Sequence, residues 1–256
     1  MGKIIAIFNQ KGGVGKTTTS INLSSGIGKI GKKVLLVDID PQGNSTSGLG
    51  MDKNKVEHII YDILALDLPI EDGIFPTSAE NVDIIPSNNQ LAGLEIELAR
   101  EGDWEMMLRK ELAKVRDDYD YIFIDCPPSL GILSVLGLIA SDSVIIPIQC
   151  EYYALEGVSQ LFDTIELVKK NFNPSLEVEG VVLSMFDGRT NLSIQVVDEV
   201  KSFFKGKVYT NIIPRNVRLA EAPSYGLSIM DYDEKSRGAE AYMDLAEEFL
   251  DLQDLD

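Results

Sequence analysis

Phe8-Asn9-Gln10-Lys11-Gly12-Gly13-Val14-Gly15-Lys16-Thr17-Thr18 joins two segments of different character. Before it, Lys3-Ile4-Ile5-Ala6-Ile7-Phe8 is a continuous apolar run that reads as a short buried strand. After it, Thr18 to Ile30 has helical spacing. A glycine-rich turn between strand and helix, closed by Gly-Lys-Thr, is suited to a nucleoside triphosphate, because backbone N–H groups at a helix N-terminus point at phosphate oxygens. Gly12, Gly13, Val14, Gly15 and Thr18 would supply that backbone cradle, Lys16 an ammonium against the β- and γ-phosphates, and Thr17 a hydroxyl for Mg²⁺. The common form of this motif has glycine five residues before the Gly-Lys pair. Here that position is Gln10, and a second lysine, Lys11, stands directly before Gly12.

Further along, strand-like runs alternate with helical ones. The strands are Lys32–Asp38, Val82–Pro86, Tyr119–Asp125, Ser143–Ile148 and Glu179–Met185, with short ones near Val208 and Ile212–Ile213. Helical spacing is read over Val56–Leu66, from a Ser87–Gln90 cap to Ala99, from an Asp103 cap over Trp104–Val115, and over Ile132–Ala140, Leu155–Lys170, Leu192–Phe204 and Gly238–Leu250. Continuous apolar strands separated by helices predict an α/β fold: one doubly wound, mostly parallel sheet flanked by helices. With no repeat and no composition break, residues 1–256 are expected to form a single domain, the acidic stretch 247–256 being a solvated, frayed tail.

The 256 residues are 45% hydrophobic, enough for a sizeable core, and no run of eighteen apolar residues occurs. Met1-Gly2-Lys3 runs directly into the first strand, so no signal peptide is expected. Cys126 and Cys150, in no Cys-x-x-Cys pair, read as reduced structural cysteines of a cytoplasmic protein. A single histidine, His58, argues against a histidine-based triad or metal site. The net charge of −18 opposes a nucleic-acid-coated protein unless cations are concentrated locally.

Ligands of open parallel sheets bind at the carboxyl ends of strands. Asp125, closing Ile122-Phe123-Ile124, is placed to anchor Mg²⁺ through a water, although strand-ending aspartates also cap the next turn. Asp38 closes the second strand and is a possible part of the metal shell. Asp40 lies further out, where a carboxylate can position a water in line with the γ-phosphate or, alternatively, cap its own loop.

Lys-Gly-Gly-Val-Gly-Lys-Thr, Val-Asp-Ile-Asp-Pro-Gln-Gly-Asn and Ile-Asp-Cys-Pro-Pro-Ser together resemble the ParA/Soj family of partition ATPases, of the deviant Walker A class of P-loop NTPases to which MinD also belongs. The resemblance extends through Gln149–Gly157 and Ile213–Arg218. It looks closest to the chromosomal type, without the extra N-terminal DNA-binding domain of some plasmid relatives. It implies a weak basal ATPase using ATP and Mg²⁺, with Lys11, Lys16 and Asp40 as its catalytic residues. Lys11 would reach the partner's phosphates across an ATP-bound homodimer, and Gly12 would mark where the two phosphate loops meet. Pro214 and Asn216 would pack around adenine and ribose. It also implies non-specific binding to double-stranded DNA, with Arg189 and Arg218 at the family's contact positions, and stimulation by a ParB/Spo0J-like partner. The expected location is cytoplasmic and nucleoid-associated, the role chromosome or plasmid partitioning and replication or sporulation control.

Between Arg189 and Arg218 the cations Arg189, Lys201, Lys205, Lys207, Arg215 and Arg218 face only Asp198 and Glu199, so a basic face can exist inside an acidic chain. Lys201 and Lys205 are therefore added as DNA candidates, the plain alternative being scattered solvated cations. No base-reading motif is visible, so binding should be backbone-directed. A MinD-like membrane-surface ATPase is the alternative function. It would need a basic amphipathic C-terminal helix, and Glu247 to Asp256 is acidic, so no membrane partner is expected.

Overall fold

A computed structural model describes residues 1–99, 104–151 and 158–254. The elements run β1 (Lys3–Ile7), α1 (Lys16–Lys29), β2 (Val34–Asp38), α2 (Asn44–Gly48), α3 (Ile60–Ala65), β3 (Phe75–Pro76), β4 (Val82–Ile85), α4 (Leu91–Leu98), α5 (Met107–Val115) and β5 (Tyr121–Asp125). They continue with α6 (Ile132–Ala140), β6 (Ser143–Gln149), α7 (Val158–Asn171), β7 (Glu177–Ser184), α8 (Asn191–Phe204), α9 (Val217–Glu221), α10 (Ile229–Tyr232) and α11 (Arg237–Gln253).

One sheet of order β3-β4-β2-β5-β1-β6-β7 crosses the chain. All neighbours are parallel except the two-residue edge strand β3, antiparallel to β4. The expected doubly wound α/β sheet is therefore present. Alternation along each strand feeds two cores. Ile4, Ala6, Leu35, Val37, Ile122 and Ile124 face the layer containing α3 to α8, whereas Ile5, Ile7, Leu36 and Phe123 face α1 and α9 to α11. β1 is central, with β5 on one side and β6 on the other, so the turn after β1 opens where the chain's path divides, the usual ligand position in such sheets.

Several boundaries differ from the sequence reading. The helix read over Val56–Leu66 is confined to α3, whose Asp62 carboxylate accepts from the Ile59 N–H at 2.8 Å and stops propagation backwards. The helix read from Trp104 begins at Met107, and its expected Asp103 cap lies outside the described residues, as do Leu155 to Gly157. The polar loop after Asp40 contains the short helix α2.

The C-terminus needs a correction. Residues 247–253 are not a frayed tail: α11 runs to Gln253 and buries Gly238, Ala239, Tyr242, Leu245, Ala246 and Phe249. Phe249 is fully buried, its ring 5.2 Å from Tyr121 and 5.9 Å from Phe123. Glu248 accepts from the backbone N–H groups of Thr210 and Asn211 at 2.7 and 3.0 Å. The acidic composition suggested solvent, but the 3.6-residue spacing of Tyr242, Leu245, Ala246 and Phe249 carries the helix onto the sheet. Phe249→Ala should therefore destabilise the chain by about 3 kcal/mol, lowering the melting midpoint in circular dichroism by roughly 10 °C.

Candidate functional site

The site grows from three strand ends. In the parallel register, Ile7 of β1 and Asp38 of β2 both lie beside Asp125 of β5. The chain leaving β1 turns through Gly13 and Gly15, at φ 74° and 92°, a left-handed conformation that side chains disfavour. Asn9 holds the turn, accepting from the Lys11 N–H at 3.0 Å and donating to the Pro147 carbonyl at 2.8 Å. Lys16 enters α1 buried, with Nζ donating to the Lys11 carbonyl at 3.0 Å. Burial pushes its ammonium pKa down, and the charges of Asp125, Cys126 and Asp40 oppose that shift.

Asp38 and Asp125 are fully buried, so each oxygen must find donors. Asp125 accepts from Ser20 at 2.9 Å and Ser45 at 2.7 Å, and Thr17 also hydrogen-bonds to it. Asp38 accepts from the Thr46 N–H and hydroxyl at 2.9 and 2.8 Å, and from the Asp40 N–H at 3.1 Å. α2 therefore exists to supply Ser45 and Thr46 to these carboxylates. Asp38 is pushed up to about 7, first by burial and then by the neighbouring Asp125 charge. Asp125 is also raised by burial, against the donors Ser45, Ser20 and Thr17.

A cavity of about 260 Å³ lies over this floor, lined by Gly13, Gly15, Lys16, Thr17, Thr18, Asp40, Asn44, Pro128 and Met185. It adjoins a second of about 330 Å³, which shares Gly15, Thr18 and Met185 with it and is walled by Pro214, Asn216 and Ile213. The structure thus brings together Lys16, Thr17, Thr18, Asp40, Pro214 and Asn216, and sets Asp38 and Asp125 below them. Val14 is buried, its carbonyl accepting from Ser184 at 2.7 Å. Lys11 and Gly12 stand at the outer lip: Gly12 is exposed, and a Cβ there would meet only Pro128 Cβ, at 3.8 Å.

The DNA candidates do not form one cluster. Arg189 follows β7, and Arg218 lies in α9 between the cavity-lining residues Val217 and Leu219. Lys201 and Lys205 sit at the far end of α8, about 15 and 21 Å along the helix axis from its start. Both arginines are paired: Arg189 with Asp187 at 2.8 and 2.6 Å, and Arg218 with Glu221 at 2.9 Å and Asp233 at 3.4 Å. Sequence reasoning missed Ser20, Ser45, Thr46, Asn44 and Met185. Only the Ser/Thr-rich composition after each motif hinted at the first three.

A family model described as "AAA domain" matches residues 2–178. The sporulation initiation inhibitor protein Soj of Bacillus subtilis is 61% identical over 97% of this chain and 98% of its own length. The chain belongs to the Soj/ParA family of chromosome-partitioning ATPases. A second Soj/ParA relative, the chromosome partitioning protein ParA of Myxococcus xanthus, is 50% identical over 98% of this chain and 88% of its own length. Among solved structures, a cobyrinic acid a,c-diamide synthase of Mycobacterium smegmatis with bound ADP and magnesium has a TM-score of 0.85 and 37% identity, covering 96% of this chain and 93% of that one. The cell division ATPase MinD of Pyrococcus furiosus has a TM-score of 0.80 and 28% identity, covering 98% of this chain and 100% of that one.

The paired carboxylates make a pH prediction. Because Asp38 is raised from about 4 to about 7 on folding, its neutral form stabilises the chain fully below about pH 4, a contribution lost as pH rises towards 7. Without nucleotide, the melting temperature of Asp38→Asn relative to wild type should therefore shift in the variant's favour from about pH 5 to about pH 8. A pH-independent difference would contradict the shift.

Proposed function

We propose that this chain is an ATP-dependent dimerising switch for chromosome or plasmid partitioning, with residues 1–256 acting as one unit. In this reading the ATP phosphates lie in the 260 Å³ cavity against Lys16 and the Gly13–Thr18 backbone, and the nucleoside in the neighbouring space by Pro214 and Asn216. The donor set fits magnesium: all are hard oxygens, with the Thr17 hydroxyl beside the Asp125 carboxylate and Asp38 adjacent. Thr17 would hold the ion directly and Asp125 through a water. When bound, the ion neutralises charge between the β- and γ-phosphates.

Asp40 orients the attacking water from the cavity wall, and Lys16 offsets charge on the transferring phosphoryl group. The observation that carries the dimer is at the lip. Among the described residues the Lys11 ammonium has no hydrogen-bond or ion-pair partner, and nothing in this chain's own packing requires glycine at position 12. A partner's phosphate loop packed there explains both: Lys11 completes the partner's site, and Gly12 permits the approach. Hydrolysis, weak alone and stimulated by a ParB-like protein, returns the monomer.

The ATP dimer is proposed to bind double-stranded DNA through Arg189 and Arg218, placing the protein on the nucleoid. Arg218 lies in α9, whose Val217, Leu219 and Ala220 line the second cavity, and Arg189 lies in the turn between β7 and α8, whereas Lys201 and Lys205 would contact DNA only along the length of α8. The membrane reading is disfavoured because the apolar face of α11 is spent on α1, and among the described residues no helix is long and apolar enough to cross a membrane.

DNA binding of four proteins, each with ATP and with ADP, tests this reading. Wild type should bind with ATP and not with ADP. Asp40→Ala should remain bound with ATP, losing turnover but not association. Gly12→Val should bind ATP yet fail to dimerise or hold DNA. Arg189→Ala should dimerise and release DNA, whereas Asp187→Asn, which removes the carboxylate paired with Arg189, should bind a few-fold more tightly. Equal binding by wild type with ATP and ADP overturns the switch.

A further inference from the structure

Met185 stands where the two cavities meet, lining both. Its φ of 54° is left-handed, which an unbranched apolar side chain has no local reason to adopt. The other described non-glycine residues with positive φ are Asp67, Asn81 and Lys205. Asp67 and Asn81 are of the types that tolerate this conformation, and Lys205 follows the end of α8. Met185 has neither reason, and its neighbours hold it in place. The Ser184 hydroxyl donates to Val14 of the phosphate loop at 2.7 Å, and the Phe186 N–H donates to the Ile213 carbonyl at 3.0 Å. The Arg215 N–H donates back to the Phe186 carbonyl at 2.9 Å. One flank is tied to the phosphate loop and the other to the wall carrying Pro214 and Asn216.

We infer that Met185 is an affinity-determining contact for the nucleoside half of the ligand, its thioether chain packing on the base and ribose of a nucleotide whose phosphates lie against Lys16. This rests on the reading of the two cavities as a nucleotide site. The strained backbone aims a flexible, polarisable side chain at the seam between them, where it can lie against an aromatic base without demanding one orientation. Glycine at this position would adopt the same φ without strain, so fold and binding pull in opposite directions.

The test uses the full chain and calorimetric titration with ATP and magnesium or with inorganic tripolyphosphate and magnesium. Met185→Gly and Met185→Ala should bind ATP about tenfold more weakly and tripolyphosphate as wild type does. Met185→Leu, which keeps the apolar volume, should stay within about threefold of wild type for ATP. Without ligand, Met185→Gly should melt no more than about 3 °C below wild type. ATP affinity unchanged in the Gly and Ala variants overturns the assignment, as does a parallel loss for tripolyphosphate. Loss in Met185→Gly with retention in Met185→Ala also overturns it, since the backbone rather than the side chain would then be responsible. Lys16→Ala separates the two readings. If it loses ATP while the Met185 variants do not, only this assignment fails; if it binds ATP as wild type does, the nucleotide site itself is misplaced.

Discussion

Two carboxylates, Asp38 and Asp125, end neighbouring parallel strands in register and are fully buried. Isolated, such a pair would be strongly destabilising. Much of the surrounding structure is arranged to satisfy it. Ser20 is offered from the second turn of α1, and Ser45 and Thr46 from α2. Thr46 also accepts from the Ser87 N–H at 2.9 Å, and Ser87 donates to the Asp40 carbonyl at 2.9 Å, fixing the loop that carries Asp40. The floor of the site and the placement of Asp40 are therefore consequences of one strand register.

The same logic links the phosphate loop to the second cavity. Ser184 ties β7 to Val14, and Phe186 ties β7 to the segment before α9. Asn216, on the cavity wall, caps α9 by accepting from the Arg218 N–H at 2.8 Å. Asn216, the proposed nucleoside contact, and Arg218, the proposed DNA contact, thus share the first turn of one short helix.

The fold was legible because the apolar strands are continuous and the glycine-rich turn stands between a strand and a helix. The convergence of Lys16, Thr17, Asp40 and Asp125 was legible for the same reason, since strand ends in a parallel sheet lie side by side. The helix from residue 56 was read too long, because its spacing continues past the point where Asp62 caps the backbone. The end of α11 was misread because acidic residues on its outer face hid the buried spacing of Leu245 and Phe249. Met185 carried no signal in the sequence, its importance arising from a backbone conformation. The separation of Lys201 and Lys205 from Arg189 was equally hidden, because a summed local charge says nothing about which end of a helix each cation occupies.

At Lys11 and Gly12, beside the departure of the phosphate loop from the common pattern, the Lys11 ammonium has no partner among the described residues and no neighbour requires the glycine, and the proposed role for both is in a second copy. Sedimentation velocity of Asp40→Ala with ATP and with ADP tests this most directly, because hydrolysis no longer erases the difference between the two nucleotides. A species of twice the monomer mass with ATP, and the monomer alone with ADP, is the expected result. The same mass with both nucleotides would contradict completion of the site by a partner.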